Sequence, residues 1–212
     1  MDKIFDYNEM EKTAYINWRT RVHEPLHNMS VIAAGYFKGA IMMAEDCIRD
    51  NHDKKADIVI FPILFSVNHA IEVYLKAINW SLNILLEKEG KFTGGHDIRQ
   101  IWNTVKGLVK EYESDKDMEN QFLDMTKELD AYIVELYEKI AKNNTGNSKM
   151  KNMDFSRYPF NTSYENHYYI ETFENEVVGL ETFVNTFKII SDNLNSISGY
   201  YEERATFVPD YE

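Results

Sequence analysis

Cysteine is almost absent from this chain: Cys47 is the only one in 212 residues, which excludes an intrachain disulfide and any multi-thiolate zinc site made by a single chain. A reducing compartment fits that usage. Proline and glycine are scarce too, at four and nine residues, too few for an all-β fold built on many tight turns. Positive charge is in short supply, since 23 Lys and Arg face 35 Asp and Glu for a net charge of −12. Such a chain repels phosphate backbones on average and suits a basic protein partner, although a local basic patch still binds nucleic acid. The opening stretch MDKIFDYNEMEK lacks the basic-then-apolar order of a secretory leader, and no uninterrupted apolar run reaches the roughly 20 residues that span a bilayer. The expectation is a cytoplasmic chain without a membrane partner.

Familiar catalytic signatures are missing as well. No GxSxG, GxxxxGK[ST] or GxGxxG occurs, which removes the serine-nucleophile elbow and the glycine loops that cradle phosphates. Cys47 lies among apolar and acidic residues, surroundings that raise a thiol pKa rather than activate it.

What is present is helical periodicity. Leu64, Val67, Ile71, Tyr74, Ile78, Leu82 and Leu85 recur at intervals of three and four and predict a core-facing helix over about 57–87. A second stripe at the same spacing holds His69, Glu72, Lys76, Asn79 and Asn83, with Glu72 one turn before Lys76 in the favourable order for a charged pair. That stripe is either a solvated face or a site. After Gly94-Gly95, Asp97 reads as the N-cap of a helix carrying Ile98, Ile101, Val105, Leu108 and Tyr112. Further helices are predicted at about 7–22, 26–48 (restarted at Pro25), 118–140 as one unbroken element, and from Phe173 to Leu194. The polar, turn-rich run from Lys142 to Asp154 reads as an exposed connection, and the segment from Gly199 as a weakly packed tail. The predicted architecture is all-α, an antiparallel helical bundle of five to six helices in one domain over 1–198, with the helices of 7–48 packed on a core at about 57–197 and a C-terminal tail at 199–212.

Three motifs have competing readings. His23-Glu24-Pro25-Leu26-His27 fits the letters HExxH, but zinc binding needs both imidazoles on one face of a continuous helix, and Pro25 interrupts that helix. No metal and no cofactor are therefore expected. His96 either supports a capped turn or points into a cleft. The aromatic residues Tyr158, Phe160, Tyr164, Tyr168 and Tyr169 either stack on bases or anchor an irregular segment.

The stretch His69-Ala70-Ile71-Glu72-Val73-Tyr74-Leu75-Lys76-Ala77, followed by Gly95-His96-Asp97-Ile98 and later by Ser156-Arg157-Tyr158-Pro159, resembles the HEPN-domain family of helical proteins from prokaryotic toxin–antitoxin, abortive-infection and related defence systems. The resemblance covers about residues 57–197. It implies an all-α bundle, a homodimer, and a role in RNA cleavage or in RNA or nucleotide binding. Active members carry an Arg followed by four to six residues and then a His; here Arg157 and His167 have nine residues between them, outside that pattern. The resulting expectation is a HEPN-like module that acts by binding RNA, a nucleotide or a protein partner, through a groove formed by Glu72, Lys76, His96, Asp97 and Tyr158 beside Arg157. The alternatives are a metal-independent ribonuclease using Arg157 and His167, and an acidic immunity or antitoxin protein that covers a basic toxin. The groove requires that the helices at 57–87 and 97–112 lie antiparallel, with the Arg157 segment near their joining turn.

Overall fold

The structure is a computed structural model that describes residues 4–92, 95–142, 153–160, 163–167, 169–170 and 175–208. Gly94, Tyr168, Phe173 and most of the polar 142–154 connection lie outside the described residues. Among the described residues, six α-helices follow in chain order: α1 Pro25–Arg49, α2 Ala56–Leu85, α3 Ile98–Tyr112, α4 Lys116–Met125, α5 Lys127–Lys142 and α6 Leu180–Ala205. Short 3-10 turns occur at Met10–Lys12 and Met153–Ser156, and no strand occurs among the described residues beyond one isolated bridge, Phe160 to Asn166.

Helix α2 is the central element. It is long and apolar enough to cross a membrane by length and composition, yet Val67, Ile71, Tyr74, Ile78 and Leu82 are fully buried against the neighbouring helices. The expected apolar stripe is therefore a core stripe. Phe37 of α1 stacks on Tyr74 and also meets Phe187 of α6, while Ile98, Trp102 and Val105 of α3 join the same cluster. Burial of side chains this large, at roughly 1.5–3 kcal/mol each, is what holds the helices together.

Helix directions follow from contacts at their ends. Leu26 packs with Ile84, and Lys55 just before α2 pairs with Asp46 at 2.8 Å, so α1 runs antiparallel to α2. Helix α3 does not. His96 lies 2.9 Å from Glu72 at mid-α2, whereas Lys88 beyond the end of α2 pairs with Glu111 at the far end of α3, at 2.5 Å. The intervening chain runs back along α2: Lys91 sits over Trp80, and Phe92 lies beneath Lys76. Helix α3 then starts level with Glu72 and runs parallel to α2. This corrects the antiparallel pairing expected for 57–87 and 97–112, and with it the groove expected at their joining turn: the connection is long enough to retrace several turns before the second helix begins, and that return is what brings His96 to mid-α2.

Four other expectations change. Residues 7–22 form no helix beyond the 3-10 turn, and none of residues 4–25 is buried; without a surface to cover, a short helical stripe gains too little to offset its nucleation cost. The predicted single helix at 118–140 breaks at Thr126, whose hydroxyl donates to the Phe122 carbonyl at 2.7 Å while the Asn193 amide of α6 donates to the Met125 carbonyl at 2.7 Å. The last helix begins at Leu180, leaving Val177 exposed before it. It also continues through Gly199 to Ala205 with Tyr201 and Ala205 buried, so much of the expected tail is core.

Candidate functional site

The polar stripe of α2 meets the start of α3 in a compact cluster. Glu72 is buried, and its Oε1 accepts from Lys76 Nζ at 2.7 Å and lies 2.9 Å from His96 Nδ1. The i, i+4 spacing alone places Lys76 against Glu72. His96 arrives because Gly95 adopts φ 111°, a left-handed conformation that an L side chain resists. The Lys76 side chain is 12% exposed and that of Glu72 10%, while the His96 side chain is 75% exposed. The pair is thus a buried charge couple with one solvent-facing imidazole at its edge.

Asp97 caps α3 by accepting from the Gln100 amide at 3.1 Å. It also accepts the Tyr137 hydroxyl of α5 at 2.6 Å. Burial and the adjacent Asp97 carboxylate hold the Tyr137 phenol well above its ordinary pKa. The structural reading of Asp97 therefore accounts for its contacts, and Asp97 belongs to the frame of the site.

One turn upstream, α2 presents an aromatic patch that sequence reasoning left unassembled. His69 stacks on Phe65 with centroids 5.7 Å apart, and the Tyr36 ring of α1 meets the imidazole edge-on at 4.6 Å. Arg157 lies over this patch, its guanidinium 5.5 Å from the Phe65 ring and 5.4 Å from the ring of Tyr158. His69 links the two halves: burial pushes its imidazole below the ordinary pKa, Glu72 pulls the other way, and the positive charges of Lys76, His96 and Arg157 push it down further. Glu72, Lys76, His96 and Arg157 all act on one imidazole, so the expected residues share a single electrostatic neighbourhood. The signal for His69 was its place one turn before Glu72 in the polar stripe; Tyr36 and Phe65 look like ordinary amphipathic positions, and nothing local distinguishes them.

His167 occupies a different setting. It is 2% exposed, its backbone amide donates to the Pro159 carbonyl at 3.0 Å, and its ring lies 6.3 Å from that of Tyr169. Tyr169 in turn donates its hydroxyl to the Phe155 carbonyl at 2.9 Å and packs on Phe61. The aromatic segment anchors itself on α2 while leaving Tyr158 and Tyr164 at the surface, 52% and 82% exposed.

The HExxH letters do not form a helical pair. Pro25 is the first residue of α1, Glu24 is its N-cap, and His23 lies outside the helix with φ 67°. Compared with protein-family models, curated proteins and solved structures, the chain matches none.

Proposed function

We propose that this chain is a HEPN-like helical module of a prokaryotic defence or stress system, acting in the cytoplasm as a homodimer that binds single-stranded RNA or a nucleotide. The observation that carries the reading is the joint placement of Arg157, Tyr158, Phe65 and His69 one turn from Lys76 and His96. Aromatic faces stack on bases at about 1–3 kcal/mol per base, and cations beside them track the phosphate. A local basic and aromatic patch on a chain of net charge −12 is also a place where a phosphate-bearing ligand gains over the rest of the surface. The buried setting of His167 gives the ribonuclease alternative less support, because a proton-transfer group has to reach the scissile phosphate.

The test is fluorescence anisotropy of a labelled short single-stranded RNA, with ATP as competitor. Arg157→Ala and Tyr158→Ala each weaken binding by about tenfold, the effect of one lost stacking or charge-assisted contact, and added salt weakens the unsubstituted chain. Failure of the unsubstituted chain to bind either RNA or ATP rejects the reading.

A second reading, an acidic immunity or antitoxin protein, draws on the shallow concavity between α4, α5 and α6, where Asp117, Asp124 and Glu128 outnumber Lys127. Opposite fields speed association with a basic partner. Salt-sensitive capture of a basic nuclease domain, abolished by Asp124→Lys, separates this reading from RNA binding.

A further inference from the structure

The broken HExxH motif retains two of its residues in a tertiary cluster beside the C-terminal end of α2. Because α1 and α6 run antiparallel, with Lys188 pairing with Glu45 at one end and His27 meeting Glu202 at the other, the first turn of α1 faces the last turn of α6. The donor atoms of Glu24, His27 and Glu202 all lie within 4.8 Å of one another. Leu26 and Ala205 pack with Trp80 and Ile84 directly beside them, so both helix ends stand on a fixed base.

The surroundings of His27 supply an independent observation. His27 Nε2 lies 3.1 Å from the Arg19 carbonyl oxygen, which only accepts, so Nε2 carries the hydrogen. A backbone carbonyl on the far nitrogen is the usual arrangement behind a metal-bound imidazole. Nδ1 then turns toward Glu202 Oε1 at 3.8 Å, beyond hydrogen-bond range. Two donor atoms sharing one tetrahedral zinc, each about 2.0–2.1 Å from it, stand about 3.3 Å apart. The gap is therefore half an ångström or so wider than a shared ion requires. Arg21, which binds Glu24 Oε2 at 2.9 Å, takes one oxygen of that carboxylate and leaves the other for a ligand.

We infer that Glu24, His27 and Glu202 form a binding site for a divalent transition ion of the zinc class that clamps the start of α1 to the end of α6. One nitrogen and two carboxylate donors suit zinc or manganese rather than calcium or magnesium, which take oxygen. Three protein ligands leave further positions to water on the exposed side of Glu24. The site departs from the expectation of no metal because Glu202, distant in sequence, takes the place that HExxH assigns to His23.

Equilibrium dialysis of the full-length chain against zinc chloride, followed by thermal melting with and without zinc, tests the site. The expected result is about one ion per chain and a zinc-dependent rise in Tm. Glu202→Gln and His27→Ala each weaken binding by about a hundredfold and abolish the rise, the exposed Glu24→Gln weakens it by about tenfold, and His23→Ala and His96→Ala leave it intact. Circular dichroism of Glu24→Gln, which removes no buried group, guards against loss by unfolding. Absence of saturable zinc binding, or binding that survives Glu202→Gln and disappears with His23→Ala, overturns the proposal. An unchanged zinc affinity in Glu24→Gln and Glu202→Gln alike does so too.

Discussion

Glu72 Oε1 stands 2.9 Å from His96 Nδ1, tying the middle of α2 to the residue that precedes the cap of α3. The same oxygen accepts Lys76 at 2.7 Å. The two partners differ in exposure, 12% for the lysine side chain against 75% for the histidine, and that difference decides which contact matters for stability.

Glu72→Ala strands the Lys76 ammonium in a dry setting, and breaking a buried pair from one side costs about 3–5 kcal/mol. His96→Ala removes an exposed partner and costs under about 1 kcal/mol. Urea unfolding of both variants checks the contrast; equal losses would mean that the imidazole carries more of the network than its exposure allows.

Asp97→Ala removes the α3 cap, at about 1 kcal/mol, and leaves the hydroxyl of the buried Tyr137 without its acceptor at about 1–3 kcal/mol more. Asp97→Asn keeps an acceptor oxygen and restores most of that loss. Chemical denaturation of the two variants, with Tyr137→Phe as the partner in a double-mutant cycle, measures the coupling.

The alkaline limb of stability is set in part by Tyr74, whose phenol is buried and pushed up from 10.0 to about 12. Burial is the main cause and the charge of Asp192 the second. A raised folded-state pKa means the folded chain keeps a proton that the unfolded chain releases, so this contribution is intact below pH 10 and lost as pH rises toward 12. Tyr74→Phe flattens that part of the stability profile, at the cost of the 3.1 Å hydrogen bond to Asn195. A profile between pH 9 and about 12 that is identical in both proteins would exclude Tyr74 as the source.

Tyr201 tests the continuation of α6. Its ring is 2% exposed, meets Tyr112 at 6.0 Å and donates its hydroxyl to Glu113 at 3.0 Å. Tyr201→Ala is expected to cost about 3–5 kcal/mol, as for other large aromatic truncations in a core, and removal of everything after Ser198 at least as much. A truncated chain that melts with the parent would restore the view of this segment as a loose tail.

Much of the fold was legible because burial writes its period into the chain. The stripe from Leu64 to Leu85 and the Asp97 cap needed only local rules, and α2 and α3 lie within a residue or two of their expected bounds. What local rules do not encode is the partner surface. Ile16, Trp18 and Val22, in the segment expected to be helical, have nothing to cover and remain 81%, 73% and 81% exposed. The stripe from Phe122 to Ile140 keeps its period across Thr126, yet the helix breaks there under a hydrogen bond from Asn193, distant in sequence. The direction of α3 was the least visible feature, since Gly94-Gly95 marks a turn without saying how far the chain has already travelled back. Of the site, Glu72, Lys76 and His96 were legible from spacing and resemblance, whereas Tyr36 and Phe65 became part of it only through tertiary contact with His69 and Arg157.

The parallel course of α2 and α3 has an electrostatic consequence. Peptide dipoles aligned along a helix leave about half a positive charge at its N-terminal end and half a negative charge at the other. An α3 laid antiparallel from the end of α2 would finish beside Glu72 and set its negative pole against a buried carboxylate. Starting there instead, it brings its positive pole to Glu72 and to Asp97, so the backbone itself favours keeping an anion in that place.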